Sequence, residues 1–191
     1  MSHVREQPDQ VPVPGQTVGP FYGYALPVAG GEQLVPATHP GAVRLHGTVT
    51  DGEGTPVPDS LLEIWQADAD GSLPRAEGSL RRGYPFTGFG RAATDGGGSY
   101  EFTTVVPGAE PGRAPFVAMT VFARGLLNRL FTRVYLPVDD AALREDPFLA
   151  GVPQERRHTL VATADEHGYR FDLRLQGDDE TVFLTFPRHE A

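Results

Sequence analysis

The sequence predicts an all-β protein, a β-sandwich with an extended N-terminal arm, on three observations. Short segments alternate apolar and polar side chains with the period of a half-buried strand. Turn residues punctuate them, Gly and Pro numbering 23 and 18 among 191 residues, which is high for a helical protein and natural for a turn-rich one. About eight such segments follow one another at the spacing expected of a sandwich.

From the N-terminus, residues 1–16 are polar and Pro-rich and read as an arm that is either disordered or laid against another surface. Thr17 to Pro27 carries Phe21, Tyr22 and Tyr24 on a path that Gly and Pro make extended or turning. Aromatics on a linker call for something to cover them. Residues 1–41 are therefore expected to form an arm and partner-contacting segment, and 42–191 the β-sandwich domain.

In that domain Val43, Leu45, Gly47 and Val49 form the inward face of a strand over 42–50. Asp51-Gly52-Glu53-Gly54 predicts a hairpin-type turn, and 61–67 a second strand. Residues 68–90 are a Gly-rich loop, long enough to suggest a function. Arg91 to Thr94 enters the turn Asp95-Gly96-Gly97-Gly98, and a strand over 99–105 stops at the Pro- and Gly-rich 107–112. Two apolar strands are expected at 116–122 and 129–136; in the latter Leu130, Thr132, Val134 and Leu136 alternate with Arg129, Phe131, Arg133 and Tyr135. Residues 139–146 suit a short helix, 156–162 and 168–176 suit strands, and 181–186 closes the domain. Neither internal repeats nor a second domain are evident.

Composition narrows the chemistry. Without cysteine there are no disulfides, thiolate nucleophiles or Cys-ligated metal centres. A net charge of −9 argues against wrapping nucleic acid or an anionic membrane. All 16 basic residues are arginine, which removes lysine Schiff-base and P-loop chemistry and leaves every fixed cation suited to bidentate carboxylate pairing. The N-terminal residues lack the apolar run of a signal peptide, and no apolar stretch is long enough to span a bilayer, so a cytoplasmic location is expected.

The six histidines (His3, His39, His46, His158, His167 and His189) form no HxH or HxxxH pair and read as solvated or singly satisfied. Asp68-Ala69-Asp70-Gly71-Ser72 looks like part of a calcium loop, yet no Glu stands at the twelfth position, and a Gly-closed turn is the better reading. GxSxG, GxGxxG and Walker motifs are absent. Arg133 is the stronger lead. Set between Phe131 and Tyr135 on a strand, its guanidinium suits an aromatic carboxylate, which needs a bidentate cation beside stacking surface. The alternative is an arginine that pairs a structural acid or reaches out to solvent.

Three motifs act together: Gln16-Thr17-Val18-Gly19-Pro20-Phe21-Tyr22, Leu62-Glu63-Ile64-Trp65-Gln66-Ala67-Asp68-Ala69-Asp70-Gly71 and Gly88-Phe89-Gly90-Arg91. With Phe122-Ala123-Arg124-Gly125, Gln154-Glu155-Arg156-Arg157 and Tyr169 to Gly177, they resemble the intradiol aromatic-ring dioxygenases over roughly residues 14–186. The resemblance implies a β-sandwich and intradiol cleavage of a catechol by dioxygen at a ferric ion held by two tyrosinates and two histidines.

The chain departs from that pattern at the ligands. The family's Pro-Gly-Pro-Tyr reads Pro107-Gly108-Ala109-Glu110 here, and its HxH reads Phe116-Val117-Ala118. Phenyl and methyl groups have no lone pair to offer, and Tyr84, in the loop of the remaining ligand, cannot hold a metal alone. The resemblance thus implies a chain inactive by itself. Its counterpart is the metal-free alpha member of two-subunit enzymes, in which Fe(III) sits on a homologous beta subunit and the two chains assemble as αβ pairs. The implied reaction converts 3,4-dihydroxybenzoate (protocatechuate) and O2 to 3-carboxy-cis,cis-muconate in aromatic catabolism by the β-ketoadipate route. Carried over residue by residue, Thr17, Gly19, Pro20 and Phe21 line the substrate pocket and Arg133 reaches the substrate carboxylate; no catalytic or metal-binding residue is expected in this chain. Residues 46–65 also resemble prealbumin-type binding modules, a likeness that ends near residue 67. A self-sufficient dioxygenase acting on another catechol fails on the missing ligands.

Overall fold

The computed structural model describes residues 17, 19, 21–74, 86–109 and 112–186. Two sheets face each other. One contains β1 (Ala42–Thr50), β4 (Ser99–Val105), β7 (Thr163–Asp165), β8 (Gly168–Arg170) and β9 (Leu173–Arg174), in the order β4-β1-β8-β7 with β9 also on β1. The other contains β2 (Leu61–Trp65), β3 (Phe89–Ala93), β5 (Phe116–Phe122) and β6 (Leu130–Tyr135), in the order β3-β2-β5-β6. Inward side chains of both meet in one core, Leu45, Val49 and Phe102 from the first sheet against Leu62, Ile64, Met119, Val121 and Val134 from the second. This is the sandwich that the alternation predicts.

Both predicted turns form, but neither closes a hairpin within a sheet: each carries the chain across the sandwich, from β1 to β2 and from β3 to β4. An aspartate organises each tip. Asp51 Oδ1 accepts from the N–H groups of Glu53 and Thr55, and Asp95 Oδ1 from those of Gly97 and Ser99. Asp68 makes the same turn with Asp70 and Ser72, which is the Gly-closed reading of that loop.

Segment 156–162 is not a strand. Residues Gln154–Leu160 form a 3₁₀ helix, because Pro153 supplies no N–H at its start and the polar side chains bond backbone nearby rather than leave it for a ladder. Thr159 Oγ1 donates to the Arg156 carbonyl at 2.9 Å and Arg157 Nε to that of Val152 at 2.9 Å. Residues 168–176 keep an extended path yet split into β8 and β9. Between them the Asp172 carboxylate takes the Thr48 N–H at 2.9 Å, a bond the ladder would otherwise use. Residues 181–186 run beside β6 without forming a strand, touching it through Leu184 N–H to the Phe131 carbonyl.

Ahead of β1 the chain lies on its own sandwich. Tyr22–Ala25 is one turn of helix (α1), Gln33 bridges Thr103, and Leu34 packs on the core. Two short helices cover the outer face of β6: α2 (Asp140–Glu145), capped by Asp139, and α3 (Pro147–Gly151), capped by Asp146. With Leu149, Val152 and Leu160 they bury Tyr135 in a second, smaller core. No helix among the described residues is long and apolar enough to cross a membrane.

Candidate substrate-anchoring site

The β5–β6 ladder sets Ala118 opposite Arg133 and Phe116 opposite Tyr135, and the β2–β5 ladder sets Trp65 opposite Ala118. Directly paired residues share a face, so Trp65, Ala118, Phe116, Arg133 and Tyr135 all project from the outer side of this sheet. There the Arg133 guanidinium packs over two rings, 4.2 Å from the centroid of Phe116 and 4.3 Å from that of Phe148 on α3. Its Nη1 donates to the Tyr135 hydroxyl at 3.2 Å, and that hydroxyl donates to Asp146 Oδ1 at 3.1 Å.

Burial pushes the Tyr135 phenol up to about 12, against the lowering effect of the Arg133 hydrogen bond, so it is a neutral O–H at ordinary pH. Asp146 is fully buried and also accepts from the N–H groups of Ala114, Phe148 and Leu149, each at 3.0 Å.

Of the two aromatics that flank Arg133 along its strand, Tyr135 is its hydrogen-bond partner, whereas Phe131 packs edge-on against Phe186, 5.2 Å away. Phe116 is two strand positions from the residue that faces Arg133, a register no single-strand pattern reveals. Phe148 had a local signal, since Asp146-Pro147 is a cap followed by proline at the first helical position. Nothing in the sequence tied that helix to β6.

A cavity of about 160 Å³ adjoins the site, with Trp65, Gln66, Arg113, Phe116 and Ala118 among its walls. These walls do not fit a ferric ion. Phe116 and Ala118 have no donor atom, and the Gln66 amide is committed, donating to the Val105 and Ala67 carbonyls and accepting from Thr104. Among the described residues no group of three or more His, Cys, Asp or Glu is gathered to hold a metal. Glu110 and Tyr84 lie outside the described residues.

The arm residues form a separate group. The Gly19 N–H donates to Thr17 Oγ1 at 3.3 Å, which leaves that hydroxyl its own proton to donate. Gly19 adopts φ +68°, a left-handed conformation with open space around it, so backbone geometry alone favours glycine here. Tyr22 turns inward and donates to the Asp59 carbonyl at 2.8 Å, whereas Phe21 and Tyr24 stay 79% and 87% exposed. Pro20 lies outside the described residues. Among the described residues no hydrogen bond or ion pair joins Arg133 to Thr17, Gly19 or Phe21.

His46 and His167 lie edge to face with ring centroids 6.3 Å apart; His46 meets Asp165 at 3.2 Å and His167 approaches Glu166 at 3.6 Å, while His39 accepts from the Gly41 N–H. His3 and His189 lie outside the described residues.

Comparison with known proteins agrees with this anatomy. Residues 18–177 match a protein family described as "Dioxygenase", well past the point where a prealbumin-type likeness would end. A solved structure of the dioxygenase domain of a dioxygenase–carbohydrate-binding protein fusion from Streptomyces sp. SirexAA-E is 26% identical, with a TM-score of 0.56 over 87% of this chain and 99% of its own. The chain belongs to the intradiol dioxygenase family. Within that family it is 42% identical to the protocatechuate 3,4-dioxygenase alpha chain of Burkholderia cepacia, over 90% of this chain and 95% of that one. Its identity to the beta chain of the same species' enzyme is 34%, over 81% and 78%.

Proposed function

We propose that this chain is the alpha-type, metal-free subunit of a protocatechuate 3,4-dioxygenase, completing the substrate pocket of an iron-bearing beta subunit. The observation that carries the reading is Arg133: a guanidinium against two rings, directly across the strand pair from Ala118 and beside Phe116, two side chains that carry no donor atom. The greater identity to an alpha chain than to a beta chain supports the same reading.

In this reading the beta subunit's ferric iron supplies the activation of the catechol, and dioxygen inserts between the two hydroxylated carbons to give 3-carboxy-cis,cis-muconate. All atoms of both substrates are retained in the product. This chain contributes orientation and enclosure. Arg133 holds the ring carboxylate, and Thr17, Gly19, Pro20 and Phe21 border the pocket, the Thr17 hydroxyl donating to the substrate. The exposed Phe21 and Tyr24 are covered by the beta subunit in an assembly of αβ pairs. The pair acts in the cytoplasm, in aromatic catabolism by the β-ketoadipate route.

The test is iron content and ring-cleavage activity of the chain alone and co-expressed with a beta chain. An iron-free, inactive lone chain and a coloured, active pair are expected. Stoichiometric ferric iron and turnover in the lone chain would overturn the reading.

A further inference from the structure

We propose that Tyr135 and Asp146 are positioning residues that hold Arg133 ready for a carboxylate, with Phe116 and Phe148 as the walls of its cradle. The inference rests on the reading of Arg133 as the carboxylate anchor and adds what fixes it.

The direction of each hydrogen bond follows from the groups themselves. An arginine can only donate and an ionised carboxylate can only accept. Tyr135, between the two, must therefore send its O–H to Asp146 and present a lone pair to Arg133 Nη1. Asp146 is held in turn by three backbone N–H groups besides the phenol, so the relay starts from a rigid point.

The same carboxylate caps α3 and so sets the place of Phe148, one face of the cradle. Phe116 is the other face, at the position where the family's metal-binding chains are expected to carry a histidine. The substitution that removes a ligand thus supplies a wall.

With two rings packed against the guanidinium and Nη1 engaged by the phenol, its other N–H groups are the ones left to meet a ligand. Among the described residues no carboxylate pairs with Arg133; its bond is to a neutral phenol, which orients the cation without neutralising it. A long, flexible side chain fixed in advance loses less entropy when its ligand arrives. The matching ligand is a planar carboxylate on an aromatic ring.

The experiment compares Tyr135→Phe, Arg133→Ala and the double variant in the assembled αβ enzyme, with protocatechuate and with 4-methylcatechol, which has no carboxylate. Tyr135→Phe is expected to lower kcat/KM for protocatechuate about tenfold, through KM, and to reduce the preference over 4-methylcatechol by the same factor. The double variant should discriminate no less than Arg133→Ala alone. An equal loss for both substrates would mean that Tyr135 is merely structural and would overturn the proposal. Unchanged discrimination in Tyr135→Phe beside a large loss in Arg133→Ala would also overturn it while sparing the anchor; no loss in Arg133→Ala would sink the anchor itself. Should Tyr135→Phe fail to assemble, Phe148→Leu removes one wall and leaves the Tyr135–Asp146 bond, and the same loss of discrimination is expected.

Discussion

Ala118 and Arg133 are direct cross-strand partners on the outer face of the β5–β6 pair. A side chain of one methyl group opposite the arginine leaves the space that Phe116 and Phe148 close over the guanidinium. The donor-free position 118 and the position that supplies a cation are therefore one structural unit.

Arg133→Ala in the assembled enzyme should raise KM for protocatechuate about 10- to 150-fold, the loss of a charged hydrogen bond worth roughly 1.5–3 kcal/mol. Arg133→Lys should recover only part of this, because a point charge cannot keep both the phenol contact and a two-pronged carboxylate contact. Steady-state kinetics decide it, and an unchanged KM would place the anchor elsewhere.

Asp146→Ala strands four donors at once and uncaps α3. The expected cost is more than about 2 kcal/mol in urea unfolding, a lost cap added to buried unpaired groups. Asp146→Asn, which keeps one acceptor oxygen for the cap, should lose distinctly less. Equal stability of Asp146→Ala and the parent chain would show that water replaces the carboxylate.

Gly47 faces the Phe171 carbonyl so closely that an added Cβ would come within 1.9 Å of the oxygen, itself held by the Tyr100 hydroxyl at 2.6 Å. Gly47→Ala must push β1 and the chain around Phe171 apart. A loss of roughly 1–3 kcal/mol is expected, the usual cost of overpacking. A midpoint of chemical denaturation within error of the parent would contradict this contact.

Stability should fall in strong alkali. Tyr135 titrates at about 12 in the folded chain, and burial likewise raises Tyr100; both would ionise near 10 once unfolded. The folded state thus keeps these protons where the unfolded state releases them. Both contributions are complete below pH 10, and that of Tyr135 is lost as pH rises through 10 to 12, by roughly 2–3 kcal/mol. Thermal melts across that range, read beside tyrosinate absorbance, measure it, and Tyr135→Phe should flatten the slope.

Arg91 ties the segment before β1 to the sandwich: its Nε meets Glu63 at 2.9 Å while Nη1 donates to the Leu26 carbonyl at 2.9 Å. Arg91→Ala should expose residues 24–31 to limited proteolysis sooner, with a stability loss of about 1.5–3 kcal/mol. An unaltered cleavage pattern would mean that Tyr22 and Leu34 suffice to hold this segment.

Much of this was legible in one dimension. The strands over 42–50, 99–105 and 116–122 begin and end where period-2 alternation says they should, because one face of each is buried in the sandwich. The short helix near 139–146 could be read as well, and Asp139 caps it. Segment 156–162 misled, since its apolar end resembles a strand while Pro153 and the bonds of Arg157 and Thr159 to nearby carbonyls favour a 3₁₀ turn. The turns at Asp51 and Asp95 were correctly seen as turns but not as crossings, because a four-residue pattern carries no information about which sheet comes next.

By itself the sequence determined the alternation that makes a sandwich, the absence of thiol and lysine chemistry, and the lack of donor atoms at Phe116 and Ala118. These are properties of single side chains and of near neighbours. Only the tertiary structure decided what surrounds Arg133. Phe116, Tyr135, Asp146 and Phe148 come from two strands and a helix cap, and cross-strand register and the packing of α3 on β6 bring them to one guanidinium. Such contacts arise from the simultaneous burial of distant segments, which no local pattern along the chain encodes.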